Sequence, residues 1–272
     1  MTRNHSDAGV GSAATEPIGV IGGSGFYRLL DEPESRPVRT PYGVPSEPPA
    51  VGVLAGRPVV FLPRHGADHR FAPHVVPYRA NLWALRSLGV RQVVSLSAVG
   101  SLDPALSIGT LAVPEQILDR TAAREHTYFG AGHGVGHVSF ADPYCPRGRA
   151  AAGDEHAGGT LVVINGPRFS TRAESRQYAA AGGTLIGMTA MPEAALAREL
   201  GLCYTTLALV TDLDAGVTAG EGVTHAEVLT QFAANLPRLR DLLLATLRRL
   251  PAAQGDCSCG DTGHLPGSFP LP

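Results

Sequence analysis

The stretch Ile18-Gly19-Val20-Ile21-Gly22-Gly23-Ser24-Gly25 has the form of a buried β-strand that ends in a glycine loop. Isoleucine and valine favour an extended strand, and a cluster of glycines favours a tight turn after it. This order is the usual start of an α/β fold. The glycines do not match G-x-G-x-x-G, and no acidic residue about 20 positions later ends an obvious second strand. The stretch therefore predicts the first strand of an α/β sheet and disfavours a dinucleotide site.

Strand and helix patterns alternate along the rest of the chain. Two apolar runs, 51–54 and 59–62, flank Ala55-Gly56-Arg57 and predict a hairpin. Further strands are predicted at 93–96, 161–164, 184–186 and 205–210, and helices at 78–88, 171–181, 192–200 and 224–250. This alternation predicts a single α/β domain with a central mixed, largely parallel sheet flanked by helices. Ligands are then expected at the carboxyl ends of the strands.

Length and composition limit the class of protein. The chain has 272 residues and a formal net charge of -2, which suits one large domain without a nucleic-acid surface or a membrane-binding surface. We expect a disordered leader over 1–17, the domain over 18–250 and a flexible C-terminal tail over 251–272. No apolar run approaches the roughly 20 residues of a membrane helix, and residues 1–16 lack the order of a secretory signal. A cytoplasmic protein is therefore expected.

Several groups that can bind an anion follow predicted strands. The glycine loop offers backbone N–H groups and the hydroxyl of Ser24. Arg64 can offer a bidentate fork to phosphate, with His65 as a second donor. Ser97 and Thr189 add hydroxyls at the ends of two other strands. One anion pocket could collect all five, although a structural turn and a surface ion pair are the alternatives for the glycines and the arginine.

Two acidic residues close the strand predicted at 205–210. Carboxylates at Asp212 and Asp214 are costly there unless they are solvated, hydrogen-bonded or functional. Their i, i+2 spacing on an extended segment points both to one side. An Asx turn before Gly216 is the structural alternative. Because the two carboxylates share one side of a strand end, the pair is predicted as the catalytic acids of the site.

Five segments, taken in order, resemble the trimeric purine nucleoside phosphorylase and methylthioadenosine phosphorylase family. They are Val20–Gly25, Pro63–Gly66, Ile164–Ser175, Gly187–Glu193 and Thr211–Asp214. The resemblance runs from about 18 to 250. It implies a nucleoside phosphorylase-like fold and a pentosyltransferase of purine salvage, in the cytoplasm, that assembles as a homotrimer or a hexamer. It also implies inorganic phosphate as co-substrate, with no metal and no organic cofactor.

The resemblance assigns roles to individual residues. Phosphate contacts are implied for Ser24, Arg64, His65, Ser97, Ala98 and Thr189. Nucleoside contacts are implied for Phe169 against the base, Ser170 close to it, Met188 under the ribose, His225 at the 5′-hydroxyl, and His137 in the pocket of a neighbouring subunit. Of the two acids, Asp212 is expected to hold a proton for N7 of the departing purine. The other acid, Asp214, can accept from an exocyclic amine.

Substrate specificity stays open between two nucleosides. Thr211-Asp212-Leu213-Asp214 resembles the methylthioadenosine and 6-aminopurine branch, whereas 6-oxopurine enzymes usually have asparagine at the first acidic position. His225 instead resembles phosphorylases of 5′-hydroxyl nucleosides, and 124–129 with His137 resembles methylthioinosine-type members. Adenosine and methylthioadenosine are both retained. The alternatives are a 6-oxopurine nucleoside phosphorylase, a nucleoside hydrolase and a non-catalytic nucleoside-binding protein.

The four cysteines form no C-x-x-C pair and no disulfide-scaffold pattern. Cys203 lies in an apolar run and is expected to be a core side chain. Cys257 and Cys259 form a close pair in the predicted tail, for which a redox disulfide, an adventitious metal site and no role at all remain open. The segment 144–159 is shorter than in relatives and predicts a truncated helix.

Overall fold

The computed structural model describes residues 15–130, 134–154, 156, 158–215, 224–263, 265–266 and 269–272. Most of the predicted leader therefore lies outside the described residues. The strands are β1 Ile18–Gly22, β2 Glu34–Ser35, β3 Ala50–Leu54, β4 Arg57–Pro63, β5 Gln92–Ser101, β6 Leu111–Ala112, β7 Gln116–Arg120, β8 Thr160–Ile164, β9 Leu185–Gly187 and β10 Cys203–Leu213. The helices are α1 Tyr78–Ser87, α2 Pro146–Ala152, α3 Arg172–Ala180, α4 Ala190–Glu199 and α5 His225–Arg249.

The strands form one mixed sheet with a largely parallel centre. Its main path runs β2-β3-β4-β1-β5-β9-β8-β7, and β10 pairs with β5. The pairs of β1 with β4, β1 with β5 and β10 with β5 are parallel, as are those of β8 with β7 and with β9. The hairpin of β3 and β4 and the short pairing of β5 with β9 are antiparallel. The predicted fold class is confirmed.

Helices cover both faces of the sheet, and β4 shows this residue by residue. Val60 and Leu62 belong to the core cluster that contains side chains of α1 and α4. Val59 and Phe61 belong to the second cluster, which contains side chains of α2 and α5. Because successive side chains of a strand point to opposite faces, an unbroken apolar run is typical of a strand buried on both sides. None of the described helices is long and apolar enough to cross a membrane.

Two central strands are longer than the sequence predicts. β5 continues through Ser97-Ala98-Val99-Gly100, and β10 continues through Asp212. The two strands pair in parallel from Gln92 and Cys203 onward, so backbone hydrogen bonding maintains the strand where the side chains become polar. The register shifts between Val210 and Asp212, which makes Thr211 the extra residue of a β-bulge. This bulge reorients the acidic end of β10.

The C-terminal segment is packed against the domain, which differs from the flexible tail expected over 251–272. Cys259 and Phe269 are 1% and 7% exposed. The Phe269 ring lies 5.3 Å from that of Phe129 and 5.9 Å from that of Trp83, measured between centroids. Burial of an aromatic side chain stabilises such packing by about 2 kcal/mol. The glycine- and proline-rich sequence around Phe269 does not reveal that this side chain is buried.

Candidate active site

A cavity of about 400 Å³ opens where β1, β4, β5, β9 and β10 present their carboxyl ends. Such an edge is the usual ligand position in open α/β sheets. The cavity is lined by every predicted site residue except His137, namely Ser24, Arg64, His65, Ser97, Ala98, Phe169, Ser170, Met188, Thr189, Asp212, Asp214 and His225. His137 is exposed and does not line it. The predicted role of His137 in a neighbouring subunit stays a prediction.

Two glycines of the loop after β1 lie too close to neighbouring atoms for a side chain to fit. A Cβ at Gly23 would lie 2.5 Å from the carbonyl oxygen of Leu96 in β5. Gly25 has φ +81° and a Cβ there would lie 2.5 Å from the ring of Phe232 in α5. The loop therefore passes between β5 and α5 with its backbone close to both, and it presents Ser24 to the cavity.

Arg64 is buried and its fork is directed at a carboxylate, not at the open cavity. Nε and Nη2 donate to the two carboxylate oxygens of Glu193 at 2.7 and 2.9 Å. Nη2 also donates to Ser95 Oγ at 2.5 Å, and Nη1 donates to the Leu96 carbonyl at 3.1 Å. The expectation of a bidentate fork to phosphate is therefore wrong for this arrangement, because the fork is used inside the protein.

The charge of Arg64 is nevertheless retained at the cavity. Burial opposes the charged form, but the Glu193 carboxylate outweighs it and holds the pKa of the guanidinium above its ordinary value. The hydrogen bonds use four of the five guanidinium N–H groups, which leaves one Nη1 N–H without a partner among the described residues. Arg64 can therefore offer one charged donor to a ligand.

Sequence reasoning did not assign a role to Glu193. Its side chain is 1% exposed, and it accepts hydrogen bonds from Tyr204 at 2.7 Å and from Ser95 at 2.9 Å in addition to Arg64. The only signal in the sequence was a carboxylate beside Met191-Pro192 at the start of an apolar helix. Its partners come from β4, β5 and β10, so no local pattern could reveal the network.

His65 is neutral in this environment. Burial and then the charge of Arg64 lower its pKa from 6.5 to about 3. Its Nδ1 lies 2.8 Å from the Phe71 carbonyl, which can only accept, so Nδ1 carries the proton and Nε2 is an acceptor. The predicted second donor is therefore an acceptor in the neutral ring, suited to the O–H of a protonated phosphate.

Two further histidines extend the cavity from His65. The rings of His65 and His69 are stacked with centroids 4.5 Å apart, and His225 lies 6.0 Å from His69. Tyr27 Oη lies 2.8 Å from His69 Nδ1. His225 is exposed at the start of α5, where Thr224 caps the helix. Sequence reasoning missed His69, although it lies only four residues after His65.

Three hydroxyl groups at the cavity can meet a ligand. Ser97 Oγ and Ser170 Oγ are buried without a hydrogen-bond partner among the described residues. Thr189 occupies the N-cap position of α4, yet its side chain makes no capping hydrogen bond. Because an unpartnered buried hydroxyl costs about 1–3 kcal/mol, Ser97 and Ser170 are suited to a polar ligand.

Asp212 lies on β10 beside the bulge, and its carboxyl is easily protonated. Burial, with smaller contributions from Asp214 and Glu227, raises its pKa from 3.8 to about 6, while the hydroxyl of Thr211 acts in the opposite direction. That hydroxyl lies 2.9 Å from Asp212 Oδ2. A Cβ at Gly100 would lie 2.7 Å from Oδ1, so only glycine fits there without moving the carboxyl.

Asp214 has a different surrounding. It is 3% exposed, and Ser175 of α3 donates a short hydrogen bond to its Oδ2. Its backbone N–H donates to the Ser101 carbonyl at 3.1 Å. Two carboxyls at one cavity therefore have separate environments, which is the arrangement that lets one of them carry a proton while the other accepts.

The loop after β8 forms the apolar side of the cavity together with Met188. Gly166 has φ +62°, and a Cβ there would lie 2.6 Å from Met188 Sδ, so the loop packs closely on this methionine. Arg124 donates to the Asn165 carbonyl at 2.6 Å and to its side-chain oxygen at 3.1 Å. The anchored loop holds Phe169 half-buried at the cavity, where a planar ligand can stack on it.

Comparison with known proteins agrees with this geometry. The family model described as "Phosphorylase superfamily" matches residues 17–248. The chain is 57% identical over 259 residues to "Purine nucleoside phosphorylase" of Streptomyces coelicolor, covering 89% of this chain and 92% of the relative. It is 52% identical to "S-methyl-5'-thioadenosine phosphorylase" of Mycolicibacterium smegmatis, covering 94% of this chain and 99% of the relative.

Solved structures give the same result. A methylthioadenosine phosphorylase from Schistosoma mansoni in complex with adenine superposes with a TM-score of 0.82 at 36% identity, covering 86% of this chain and 91% of the other. A methylthioadenosine phosphorylase from an antarctic soil metagenomic library has a TM-score of 0.84 at 40% identity, covering 96% and 94%. The chain belongs to the phosphorylase superfamily, in its group of purine nucleoside and S-methyl-5'-thioadenosine phosphorylases.

Proposed function

We propose that the chain catalyses phosphorolysis of a 6-aminopurine nucleoside, adenosine or S-methyl-5'-thioadenosine, as a pentosyltransferase of purine salvage. The products are the free purine and ribose 1-phosphate or its 5-methylthio counterpart. The observation that carries the proposal is a single cavity lined both by a charged arginine with unpartnered hydroxyls and by a carboxyl whose pKa is about 6. The names of the relatives and the adenine bound in the Schistosoma structure support the same class of substrate.

Phosphate is expected among the polar groups around the glycine loop. Arg64 supplies the remaining Nη1 N–H, and Ser97 and Thr189 supply hydroxyls. His65 Nε2 accepts from a protonated phosphate oxygen. Ser24 and Ala98 complete the surface at the loop and at β5. Because the site is mostly buried, each of these hydrogen bonds is stronger than it would be in water.

The reaction exchanges one bond at C1′ for another. The bond between C1′ and the purine nitrogen N9 breaks with its electron pair going to the base, and an oxygen of phosphate forms the new bond to C1′. The sugar passes through an oxocarbenium-like state, which the phosphate charge stabilises. Asp212 gives its proton to N7, so the purine departs neutral. The phosphate group of the product then loses its proton to solvent, and Asp212 takes up a proton from solvent, so the enzyme returns to its starting state.

The remaining contacts select the nucleoside. Phe169 stacks on the base beside Ser170, Met188 lies under the ribose, and Asp214 accepts from the exocyclic amine of a 6-aminopurine. His225 and Val228 lie together at the cavity, where the histidine suits a 5′-hydroxyl and the valine suits a methylthio group. These two side chains are compatible with either adenosine or methylthioadenosine.

The resemblance to the phosphorylase family also bears on cofactors, assembly and the division of the chain. The reaction uses phosphate as co-substrate and needs no metal or organic cofactor, because positioning and electrostatics are sufficient for it. Assembly as a homotrimer, or as a hexamer of two trimers, would bring His137 to the cavity of a neighbouring chain. A division into a leader at 1–17, the domain at 18–250 and a C-terminal segment at 251–272 remains part of the proposal.

The substrate class is tested by initial rates of base release from adenosine, methylthioadenosine, inosine and methylthioinosine in phosphate buffer. Both adenine nucleosides are expected to exceed their 6-oxo counterparts in kcat/KM. Preference for inosine and methylthioinosine would overturn the assignment to 6-aminopurines. A His225→Val variant is expected to move the adenosine to methylthioadenosine ratio about tenfold towards the thioether, since it removes a hydroxyl partner and adds an apolar contact.

A further inference from the structure

Four cysteines that are distant in the sequence meet in one buried cluster. Cys145 precedes α2, Cys203 is the first residue of β10, and Cys257 and Cys259 lie at the short 3₁₀ turn Ser258–Gly260. They are 1%, 5%, 7% and 1% exposed, and all four are free thiols. The C-terminal segment therefore contributes half of a cluster whose other half belongs to the domain.

The spacing of the sulfur atoms is that of a metal site. All four Sγ atoms lie within 4.8 Å of one another, and Cys145 Sγ is 3.7 Å from Cys257 Sγ. A tetrahedral zinc with Zn–S bonds of about 2.3 Å places its sulfur ligands about 3.8 Å apart. The cluster therefore needs only a small contraction to enclose such an ion.

Hydrogen-bond donors and positive charges surround the sulfurs. Gln254 Nε2 donates to Cys203 Sγ at 3.4 Å and is itself held by the Gly201 carbonyl at 2.8 Å. The backbone N–H of Gly148 donates to the sulfur of Cys145. Arg147 and Arg198 are close enough to interact electrostatically with the cluster. Donors of this kind stabilise metal-bound thiolates, because they offset the negative charge that four of them bring.

We propose that Cys145, Cys203, Cys257 and Cys259 bind one zinc ion as a structural tetrathiolate site. Four thiols release four protons to solvent, and the ion bonds to four thiolates, so the centre carries a net charge of -2 and no electron is transferred. A centre with four protein ligands leaves no position for substrate. Cys203 and Asp212 are nine positions apart on β10, about 30 Å along the strand, so the ion acts on folding and not on the reaction.

The ion would join the C-terminal segment to the domain. Arg147 of α2 already pairs with Asp256 at 2.5 Å, and Glu16 accepts from the backbone N–H of Gln254 at 2.8 Å. Together with the hydrogen bond from Gln254 to Cys203, these contacts place the 254–260 segment beside α2 and the start of β10. Metal bonds at three separate parts of the chain then stabilise a segment that has few apolar side chains of its own.

The proposal is tested by metal analysis of the full-length protein purified without chelator or added metal. About one zinc per chain is expected, with four thiols that react with an alkylating reagent only after denaturation in the presence of a chelator. Two outcomes would overturn the proposal: a metal-free protein with four thiols that chelator does not affect, or a metal-free protein whose mass shows disulfides before reduction.

The zinc content of two variants distinguishes a cluster that binds an ion from four cysteines that only pack together. Cys257→Ser is expected to reduce the zinc content at least fivefold, whereas Ser258→Ala, an exposed neighbour that offers no ligand, should leave it unchanged. Zinc retained in full by the Cys257→Ser variant would contradict the site.

A second readout on the wild type does not depend on how the variants fold. Removal of zinc by a chelator should lower Tm by roughly 5 °C or more, and Co²⁺ added in its place should give the visible absorption of a tetrahedral thiolate centre. An unchanged Tm together with no cobalt absorption would overturn the proposal.

Discussion

Asp212 has a raised pKa and a position on a strand that lines the cavity. Burial is the main cause of the rise to about 6, and kcat/KM reports the protonation state of the unliganded enzyme. If the protonated carboxyl is the acid for N7, kcat/KM for adenosine should fall tenfold per pH unit above about pH 6. Asp212→Asn should lower kcat/KM by about 10²–10⁴ and remove this limb. A variant with the wild-type pH profile would exclude Asp212 as the acid.

Gly100 controls the position of the same carboxyl. Gly100→Ala places a methyl group 2.7 Å from the present Oδ1 position, and the nearest other atom, in Ile186, would be 3.0 Å away. The carboxyl is the more easily displaced of the two, so activity should fall more than stability. We expect kcat to drop at least tenfold while Tm changes by a few degrees, measured by steady-state kinetics and thermal unfolding. Unchanged kcat would show that the position of Asp212 is not critical.

Individual residues also show what sequence could reveal about the site. Nearly every predicted site residue lines the cavity, because strand ends in an α/β sheet converge whatever lies between them, although other lining side chains such as His69 and Val228 were not predicted. The protonation state of His65 could not be read from the chain, because it depends on burial and on a carbonyl six residues away. The use of the Arg64 fork was equally hidden, since Glu193 is 129 positions away.

At the scale of elements, the Arg64–Glu193 pair connects β4 with α4, and Ser95 and Tyr204 add β5 and β10. Glu193→Gln keeps the shape but leaves the guanidinium buried beside a neutral group. We expect a loss of about 3–5 kcal/mol in the free energy of unfolding and a higher KM for phosphate, because Arg64 loses its anchor.

A matched control is the exposed pair of Arg36 and Glu34, whose side chains are 54% and 60% exposed. Glu34→Gln should leave both the unfolding midpoint and the KM for phosphate unchanged, since exposed ion pairs contribute little. Equal effects of Glu193→Gln and Glu34→Gln in chemical denaturation would contradict a structural role for the buried pair.

The elements were predictable where apolar runs define them. The strands β1, β3, β4 and β8 and the helices α1 and α5 lie close to their predicted bounds, since each has a clear period or a clear stop. The ends of β5 and β10 were missed because backbone pairing between the two strands, not side-chain pattern, determines where they end. Two-residue strands such as β6 carry no sequence pattern, because a period needs more residues to be visible.

At the scale of the whole molecule, buried titrating groups couple stability to pH. The folded pKa of His65 is about 3 and its ordinary value is 6.5, so below about pH 6.5 the unfolded chain binds a proton that the folded chain does not. This group therefore removes stability as pH falls. Asp212 acts in the opposite sense, because its raised pKa favours the folded chain at low pH and that contribution is lost as pH rises through about 6.

The variant His65→Asn separates these contributions, because the amide can still donate to the Phe71 carbonyl but does not titrate. Between about pH 7 and pH 5, wild-type Tm should fall more steeply than Tm of the variant, with a difference worth about 1–2 kcal/mol at the lower pH. Thermal unfolding over this range makes the comparison. Parallel curves would show that the proton at His65 does not affect stability.

The C-terminal segment is where the whole molecule departs furthest from the sequence-based expectation. Its glycines and prolines predict a tail, yet Phe269 and two cysteines are buried against the domain. The partners of these cysteines are 54 to 114 positions away, so only the assembled fold brings them together. Local composition is a weak guide wherever a few side chains make long-range contacts.

The phosphate dependence of adenosine cleavage tests the account most directly. The assay measures adenine, ribose 1-phosphate and free ribose from one reaction as phosphate is varied from zero to saturation. A phosphorylase is expected to release adenine and ribose 1-phosphate in equal amounts, with no release in the absence of phosphate. Adenine released with free ribose, at a rate that does not depend on phosphate, would contradict the assignment and make the enzyme a hydrolase.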